Sequence, residues 1–429
     1  MSTAIFWLRN DLRSSDNEAL LRAIDQHDQI LPVFIWDEAW FAPTEFGFPR
    51  MGNFRARFLQ ESLEDLQAEL QSRGSDLIIR RGDPVIWVKK FADSIQTSEI
   101  YCAAAYSSFE IQQEQALKQS GLTLHSFHTS TLVPPAELPM ELSQLPDVFT
   151  AFRKKVEKYS RIPDPFPKPE SIAMASSEFS SEENFTFNET PMKDPRAVLK
   201  FKGGSDAAWK RLDHYFWKSE SLASYKETRN GLIGADYSSK FSPWLALGCI
   251  SAREIYHEVK RFEKEIKKNS STYWLVFELL WRDYFQFVAM KYGNRLFLPS
   301  GIKGEPRSWS VDKESFEKWC SGETGQDFVD ANMREFNATG FMSNRGRQNV
   351  ASYLTKDLKI DWRAGAAYFE YLLIDHDPYS NYGNWQYVAG VGNDPREDRY
   401  FNVSGQAERY DPTAQYRALW REKSHVGSM

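Results

Sequence analysis

Residues 3–36 read TAIFWLRNDLRSSDNEALLRAIDQHDQILPVFIW, two short apolar runs on either side of one amphipathic segment. The runs at 4–8 and 30–36 are near-continuously apolar, as strands covered on both faces are; a half-exposed strand would alternate. Between them, Ser15 with Glu18 three positions on has the pattern of a capping box ahead of Ala19, Leu20 and Leu21. The alternation continues outward. Runs at 77–79, 100–105 and 122–127 read as further strands. Residues 54–73 repeat apolar side chains at helical spacing and stop at Gly74, a residue suited to the position after a helix end. This strand–helix order predicts a doubly wound, parallel, five-stranded α/β domain over residues 1–132.

A dinucleotide site on such a sheet needs a glycine-rich turn after the first strand, so that a pyrophosphate can approach the helix. Here the turn is Arg9-Asn10-Asp11-Leu12-Arg13, so the sheet is not a conventional nucleotide site. Gly390-Val391-Gly392 lacks both the third glycine and a preceding strand. From about 162 to 204 the chain is rich in Pro, Ser and acids (PDPFPKPE, SSEFSSEE), and a surface connector is placed at 133–204. Helices are predicted at 206–220, 243–262, 271–292, 313–321, 329–337, 348–358 and 364–373, an all-helical domain over 205–421. No internal repeat or low-complexity tract appears.

The 429 residues are 41% hydrophobic and 26% charged, with a mean hydropathy of −0.55, an ordinary globular balance. No apolar run approaches the roughly 18 residues of a membrane helix. The N-terminus lacks the secretory pattern, and a cytoplasmic, membrane-free monomer is expected. Three distant cysteines, Cys102, Cys249 and Cys320, exclude a disulfide scaffold and a Cys-based zinc site. Charge is uneven: residues 1–195 carry 19 Lys and Arg against 29 Asp and Glu, and the remainder 34 against 30. Ten of the 14 tryptophans also lie after residue 195. A polyanion is therefore expected to meet the second half.

Residues 273–292, YWLVFELLWRDYFQFVAMKY, are too aromatic for a surface helix, yet hold Glu278, Arg282 and Asp283. Glu278, Trp281, Arg282 and Phe285 share one stripe. A carboxylate there needs a partner. Either Glu278 and Arg282 pair i to i+4 within the core, or both line a cavity that holds a polar ligand. In Ser343-Asn344-Arg345-Gly346-Arg347-Gln348 a helix puts Asn344, Arg347 and Gln348 on one face and Arg345 elsewhere. Residues 373–385, LIDHDPYSNYGNW, offer Asp375 and Asp377 to a buried arginine. A metal on Asp375-His376-Asp377 is not favoured, because no further carboxylate follows at ligand spacing. In residues 237–245, YSSKFSPWL, Ser242 reads as N-cap with Pro243 at N1, and hydroxyls at a helix start also suit a phosphate.

SSKFSPWLALG, FELLWRDYF, FMSNRGRQNVASYL, LIDHDPYSNYGNWQY and NDPREDRYFN, together with the first strand and its turn, resemble the photolyase/cryptochrome flavoprotein family, and within it the cryptochrome-DASH branch. The resemblance spans residues 5 to about 420. It implies FAD bound in the helical domain, which agrees with the missing glycine turn. Tyr225, Ser238, Ser239, Phe241 and Ser242 would hold the FAD phosphates. Arg282, Asn344, Arg347, Asp375, Asp377 and Asn381 would surround the rest of the cofactor, with an Arg347–Asp375 ion pair beside the ring.

The implied activity is light-driven reversal of cyclobutane pyrimidine dimers in DNA, by electron transfer from excited reduced FAD. Glu278 matches the carboxyl that hydrogen-bonds the dimer, Asn344 would touch flavin and lesion, and Trp281, Gln348 and Tyr387 would line the pocket of the flipped dimer. Gln348 and Tyr387 stand where duplex-repair members carry Met and a second Trp, as in the branch that repairs mainly single strands. Trp385, Trp362 and Trp309 match the family's electron relay, and Arg229, Arg345 and Arg399 its phosphate contacts. The branch's 5,10-methenyltetrahydrofolate antenna would sit between the domains, with Glu110 as a contact. The alternative is a blue-light photoreceptor with little repair.

Overall fold

The computed structural model describes residues 1–181, 194–305, 307–310, 312–396 and 399–421. The middle of the connector (182–193) and the terminal HVGSM lie outside the described residues. Five parallel strands, β1 (Thr3–Trp7), β2 (Gln29–Asp37), β3 (Ile78–Gly82), β4 (Glu99–Ala103) and β5 (Thr123–Phe127), pair in the order β3-β2-β1-β4-β5. Helices α1 (Glu18–Gln26), α2 (Asn53–Gln71), α3 (Pro84–Ser94) and α4 (Ser108–Gln119) make the crossovers. Alternate residues of β1 face two layers. Ala4 and Phe6 pack with Leu20, Leu59 and Leu63, whereas Ile5 and Trp7 pack with Val88, Phe91 and Leu117.

Two local expectations change. Asn17, not Ser15, caps α1, its Oδ1 accepting from the Leu20 N–H at 3.2 Å. The Ser15 hydroxyl instead donates to Glu254 at 2.6 Å. β5 is an edge strand with no fully buried residue, so coverage of both faces holds for the inner strands and fails there.

The connector contains a helix that its composition hid, α5 (Phe149–Tyr159). After it come α6 (Ser205–Asp213), α7 (Tyr225–Thr228), α8 (Ser242–Ala246), α9 (Ala252–Glu265), α10 (Ser270–Tyr292), α11 (Lys313–Ser321), α12 (Asp327–Thr339), α13 (Asn344–Ser352), α14 (Trp362–Leu372), α15 (Pro378–Ala389), α16 (Val403–Tyr410) and α17 (Gln415–Leu419). The helix expected at 243–262 is broken in two at Gly248, whose φ is +68° and where a Cβ would lie 2.2 Å from the Asn10 carbonyl. That close approach seats the helical part on the turn after β1: Leu12 N–H donates to Leu247 O at 3.0 Å, and Arg13 to Gly248 O at 2.9 Å. The helix expected from 348 begins at Asn344, because Ser343 caps it by accepting from Gly346 N–H at 3.0 Å. The helix read as 206–220 ends in a wide π turn at His214–Lys218.

A buried ion pair also crosses the two parts. Arg253 on α9 meets Asp16 at 2.7 Å with side-chain exposures of 4% and 0%. Removing one member leaves the other charge buried alone. Arg253→Ala should therefore lower unfolding free energy by about 3–5 kcal/mol in urea titrations; a loss below about 1 kcal/mol would show that Asp16 finds water or another partner.

Candidate functional site

Two cavities inside the helical part, of about 350 and 270 Å³, share a lining that includes Glu278, Arg282, Asn344, Arg347, Asp375 and Asp377. The smaller adds Tyr225, Ser238, Ser239, Phe241 and Ser242. The larger adds Trp281, Gln348, Asn381, Trp385, Tyr387 and Arg399. Residues from five separated segments thus meet at one place.

The inner wall is an anion cradle by construction. Arg211 donates to the Ala235, Ser238 and Ser239 carbonyls, each at 3.0 Å. The Lys240 ammonium donates to Ala235 O at 2.7 Å and Gly234 O at 3.2 Å. With its carbonyls held from behind, the loop keeps its N–H groups and serine hydroxyls for the cavity. Burial and the neighbouring Arg211 push Lys240 down to about 6. Ser242 is not the N-cap of α8, a position that falls to Phe241. Its hydroxyl donates to Asp375 Oδ2 at 2.6 Å.

Arg347 also donates to Asp375 Oδ2, at 2.8 Å. The other oxygen, Asp375 Oδ1, is buried without a protein partner, an acceptor left for a ligand's N–H or O–H. Asp377 caps α15, accepting from Ser380 N–H at 2.7 Å, and Asn381 Nδ2 donates to Ala366 O at 3.0 Å. Glu335 on α12 lies near Lys240 and Arg347; burial pushes its carboxyl up to about 7 while it accepts from Tyr416 at 2.5 Å.

The Glu278–Arg282 pairing is not formed; both line the cavity. Arg282 donates to the Ser130 and Leu245 carbonyls. Glu278 Oε1 pairs with Arg229 at 2.5 Å. Burial raises the Glu278 carboxyl above its ordinary range, with Arg229 acting against it. The other two arginines expected at phosphates also hold cavity side chains: Arg345 donates to Gln348 Oε1 at 2.8 Å, and Arg399 to the Tyr387 hydroxyl at 3.0 Å.

Trp385 and Trp362 are buried and Trp309 half-buried in one apolar cluster. Trp362 donates to Pro299 O at 3.1 Å. Two aromatic neighbours escaped the sequence reading. Trp319 stands with its ring 6.2 Å from Trp385, and Phe149 of α5 stacks on Trp281 at 3.7 Å. Phe149 belongs to the acidic half, so that half contributes a neighbour to the Trp281 side of the site. Glu110 lines a third cavity, of about 630 Å³, between sheet and helices, with His376 opposite. Its Oε2 is buried without a protein partner. Among the described residues no helix is long and apolar enough to cross a membrane.

Family models for DNA photolyase and for the FAD binding domain of DNA photolyase match residues 4–170 and 274–424. A cryptochrome DASH of Gloeobacter violaceus is 47% identical over 97% of this chain and 85% of its own length. One from Xenopus laevis is 48% identical over 96% and 81%. The chain belongs to the photolyase/cryptochrome family, in the cryptochrome-DASH branch. The crystal structure of a Synechocystis cryptochrome has a TM-score of 0.94 at 47% identity, covering 97% of this chain and 88% of that one. A class III photolyase from Agrobacterium tumefaciens gives 0.83 at 29%, over 98% and 86%.

Residues of this chain fit an FAD. The anion cradle, the unpartnered Asp375 oxygen and the two cavities with their shared lining offer the phosphate, hydroxyl and ring contacts that a dinucleotide needs. The branch's cofactor domain also sets a pH dependence. Glu335 holds a proton in the folded chain up to about 7, whereas an unfolded Glu loses it near 4.3. Stability therefore falls as pH rises between those values and is flat above them. Glu335→Gln should leave stability nearly unchanged at pH 4.5 and raise it by about 3 kcal/mol at pH 8. Equal effects at both pH values, measured in urea, would sink this assignment.

Proposed function

We propose that this cryptochrome-DASH member is a light-driven cyclobutane pyrimidine dimer photolyase, acting as a monomer on single-stranded DNA. The observation that carries the reading is Glu278: a half-buried carboxyl on α10, raised by desolvation, facing the same cavity as Trp281, Asn344, Gln348 and Tyr387. FAD held in this site would supply the light-driven one-electron chemistry that the reaction needs.

The chain's own residues do the rest. Ser238, Ser239, Ser242, Tyr225 and the backbone at Phe241 would hold the FAD phosphates. Arg282, Arg347, Asp375, Asp377 and Asn381 would hold the remainder. Glu278 in its protonated form donates a hydrogen bond to a dimer carbonyl, where negative charge grows, and Asn344 adds a second polar contact. Trp281, stacked on Phe149, is the apolar wall for the flipped dimer. Gln348 and Tyr387 give the opposite wall hydrogen-bonding groups and less stacking area, which favours a lesion already free of a duplex. The 630 Å³ cavity with Glu110 would take the methenyltetrahydrofolate antenna.

Trp385, Trp362 and Trp309 support a second reading, in which photoreduction drives signalling. Illumination of the reduced holoprotein with a single-stranded thymine-dimer oligonucleotide separates the two: loss of dimers supports the lyase, and photoreduction without dimer loss supports the receptor. Under the lyase reading Glu278→Gln should retain part of the repair yield and Glu278→Ala lose most of it, about a tenfold effect or more. Repair unaffected by Glu278→Ala would remove the carboxyl from the chemistry. Trp362→Phe should slow photoreduction of oxidised FAD at least tenfold while leaving repair by pre-reduced protein intact, and unchanged kinetics would remove the relay.

A further inference from the structure

Each of the three rim arginines is hydrogen-bonded to a different side chain of the cavity, and for Gln348 and Tyr387 the bond occupies the oxygen and leaves the N–H or O–H to donate. Arg345 donates to the Gln348 carbonyl oxygen at 2.8 Å and to Asn230 Oδ1 at 3.0 Å. With Oε1 engaged, the Gln348 group left for a ligand is its NH2, a donor. Arg399 donates to the Tyr387 oxygen at 3.0 Å while its Nε is held by Asp394. With its oxygen taken by Arg399, the Tyr387 hydroxyl is left with its proton to donate, and Asp394 is the acceptor inside the protein with which a ligand carbonyl would compete. Arg229 differs from these two: it takes Glu278 Oε1 at 2.5 Å and favours the ionised carboxylate, so it holds Glu278 in place without making it a donor. Side-chain exposures near 20% for Arg229 and Arg399 leave part of each guanidinium accessible, and five donors per guanidinium allow a phosphate to be held at the same time.

We propose that Arg345 and Arg399 are positioning residues that set the Gln348 and Tyr387 side of the lesion pocket as a donor-lined wall for carbonyl-bearing bases, and that the same guanidiniums bridge this wall to the phosphates of the bound strand. The inference rests on the repair reading above and adds substrate recognition to it. Pyrimidine dimers present four ring carbonyl oxygens and few donors once their rings are saturated, so a wall of donors matches them and a wall of acceptors would not. A phosphate contact alone does not require the guanidinium to touch the pocket side chain at all.

The test uses holoprotein and two probes: a thymine-dimer dinucleotide without flanking phosphates, and a single-stranded oligonucleotide carrying the same dimer. Dissociation constants are measured for wild type, Arg345→Ala, Gln348→Ala and the double variant, with flavin content and melting temperature confirming each fold. The expected result is about tenfold weaker binding of the dinucleotide by Arg345→Ala, with the double variant no weaker than the poorer single one. Arg345→Lys should not restore it, since one ammonium cannot span Gln348 and Asn230 as the fork does. Wild-type binding of the dinucleotide by Arg345→Ala, with loss and a shallower salt slope only for the oligonucleotide, would overturn the positioning role and leave a phosphate contact. If Arg345→Ala fails to fold, Arg399→Ala in a Tyr387→Phe background decides: no further loss of dinucleotide affinity supports the tether, and a further loss overturns it. Wild-type protein that binds neither probe would sink the repair reading itself.

Discussion

Three charged groups on one apolar helix constrain most of this molecule. Helix α10 is built to be buried; Asp283 is buried with it and Glu278 and Arg282 are half-buried, so each must be compensated where it stands. Asp283 accepts the Leu132 and Val133 N–H groups, both at 2.9 Å. Even so, burial pushes it up to about 7. Arg282, one residue earlier and pointing elsewhere, takes the Ser130 and Leu245 carbonyls. Gln286, a turn further on, accepts from the Ser130 hydroxyl at 2.7 Å. The chain leaving β5 is thus clamped to α10 by groups whose desolvation would otherwise be unanswered. The orientation of α10 in turn fixes where Glu278 opens into the cavity.

The same economy explains why the parallel sheet carries no cofactor fingerprint. The turn after β1 is occupied. Asn10 and Asp11 crowd against Gly248, Arg13 reaches the Gly248 carbonyl, and Asp16 takes Arg253. A pyrophosphate would have to displace the joint between the two parts of the chain. The loop from Gly234 to Ser242 offers the anion-cradling surface instead, its carbonyls held from behind by the Arg211 guanidinium and Lys240 Nζ, which leaves the cavity side to hydroxyls and N–H groups.

Much of this was legible in the sequence because periodicity reports burial directly. The strands, α2, α10 and α11 appear within a few residues of their read positions. What failed had partners that are remote in the chain. Ser15 looked like a cap, but its acceptor is Glu254; Ser242 looked like a cap, but its acceptor is Asp375. Helix α15 was hidden by Asn and Gly residues that normally signal turns; Gly383 is tolerated there because its missing Cβ admits Phe285, at 2.3 Å from the ideal position. Phe149 could not be connected to Trp281 from a proline-rich connector. The family resemblance named the site residues and the Arg347–Asp375 pair, yet not the contacts of Arg229, Arg345 and Arg399 with cavity side chains, since Arg229, for one, lies 49 residues from Glu278.

A pocket that must accept a flipped base can win it by stacking or by hydrogen bonding, and the two demand different neighbours. Stacking is worth about 1–3 kcal/mol per base and asks only for flat apolar area. Phe149 behind Trp281 stiffens one such surface without any charge. Hydrogen bonding asks for donors that do not rotate away, and glutamine and tyrosine side chains rotate freely unless a third group holds them. Here the holding groups are arginines at the rim, where their own desolvation is partial and the cost of orienting Gln348 and Tyr387 is met before a ligand arrives. Such a wall gains little against a paired and stacked duplex, because the energy needed to extract the base must come before the donors can reach it. It is effective where the base is already exposed. Under the proposed repair reading, the polarity of this one wall is enough to favour an already exposed base, without any change in the residues that surround the cofactor site.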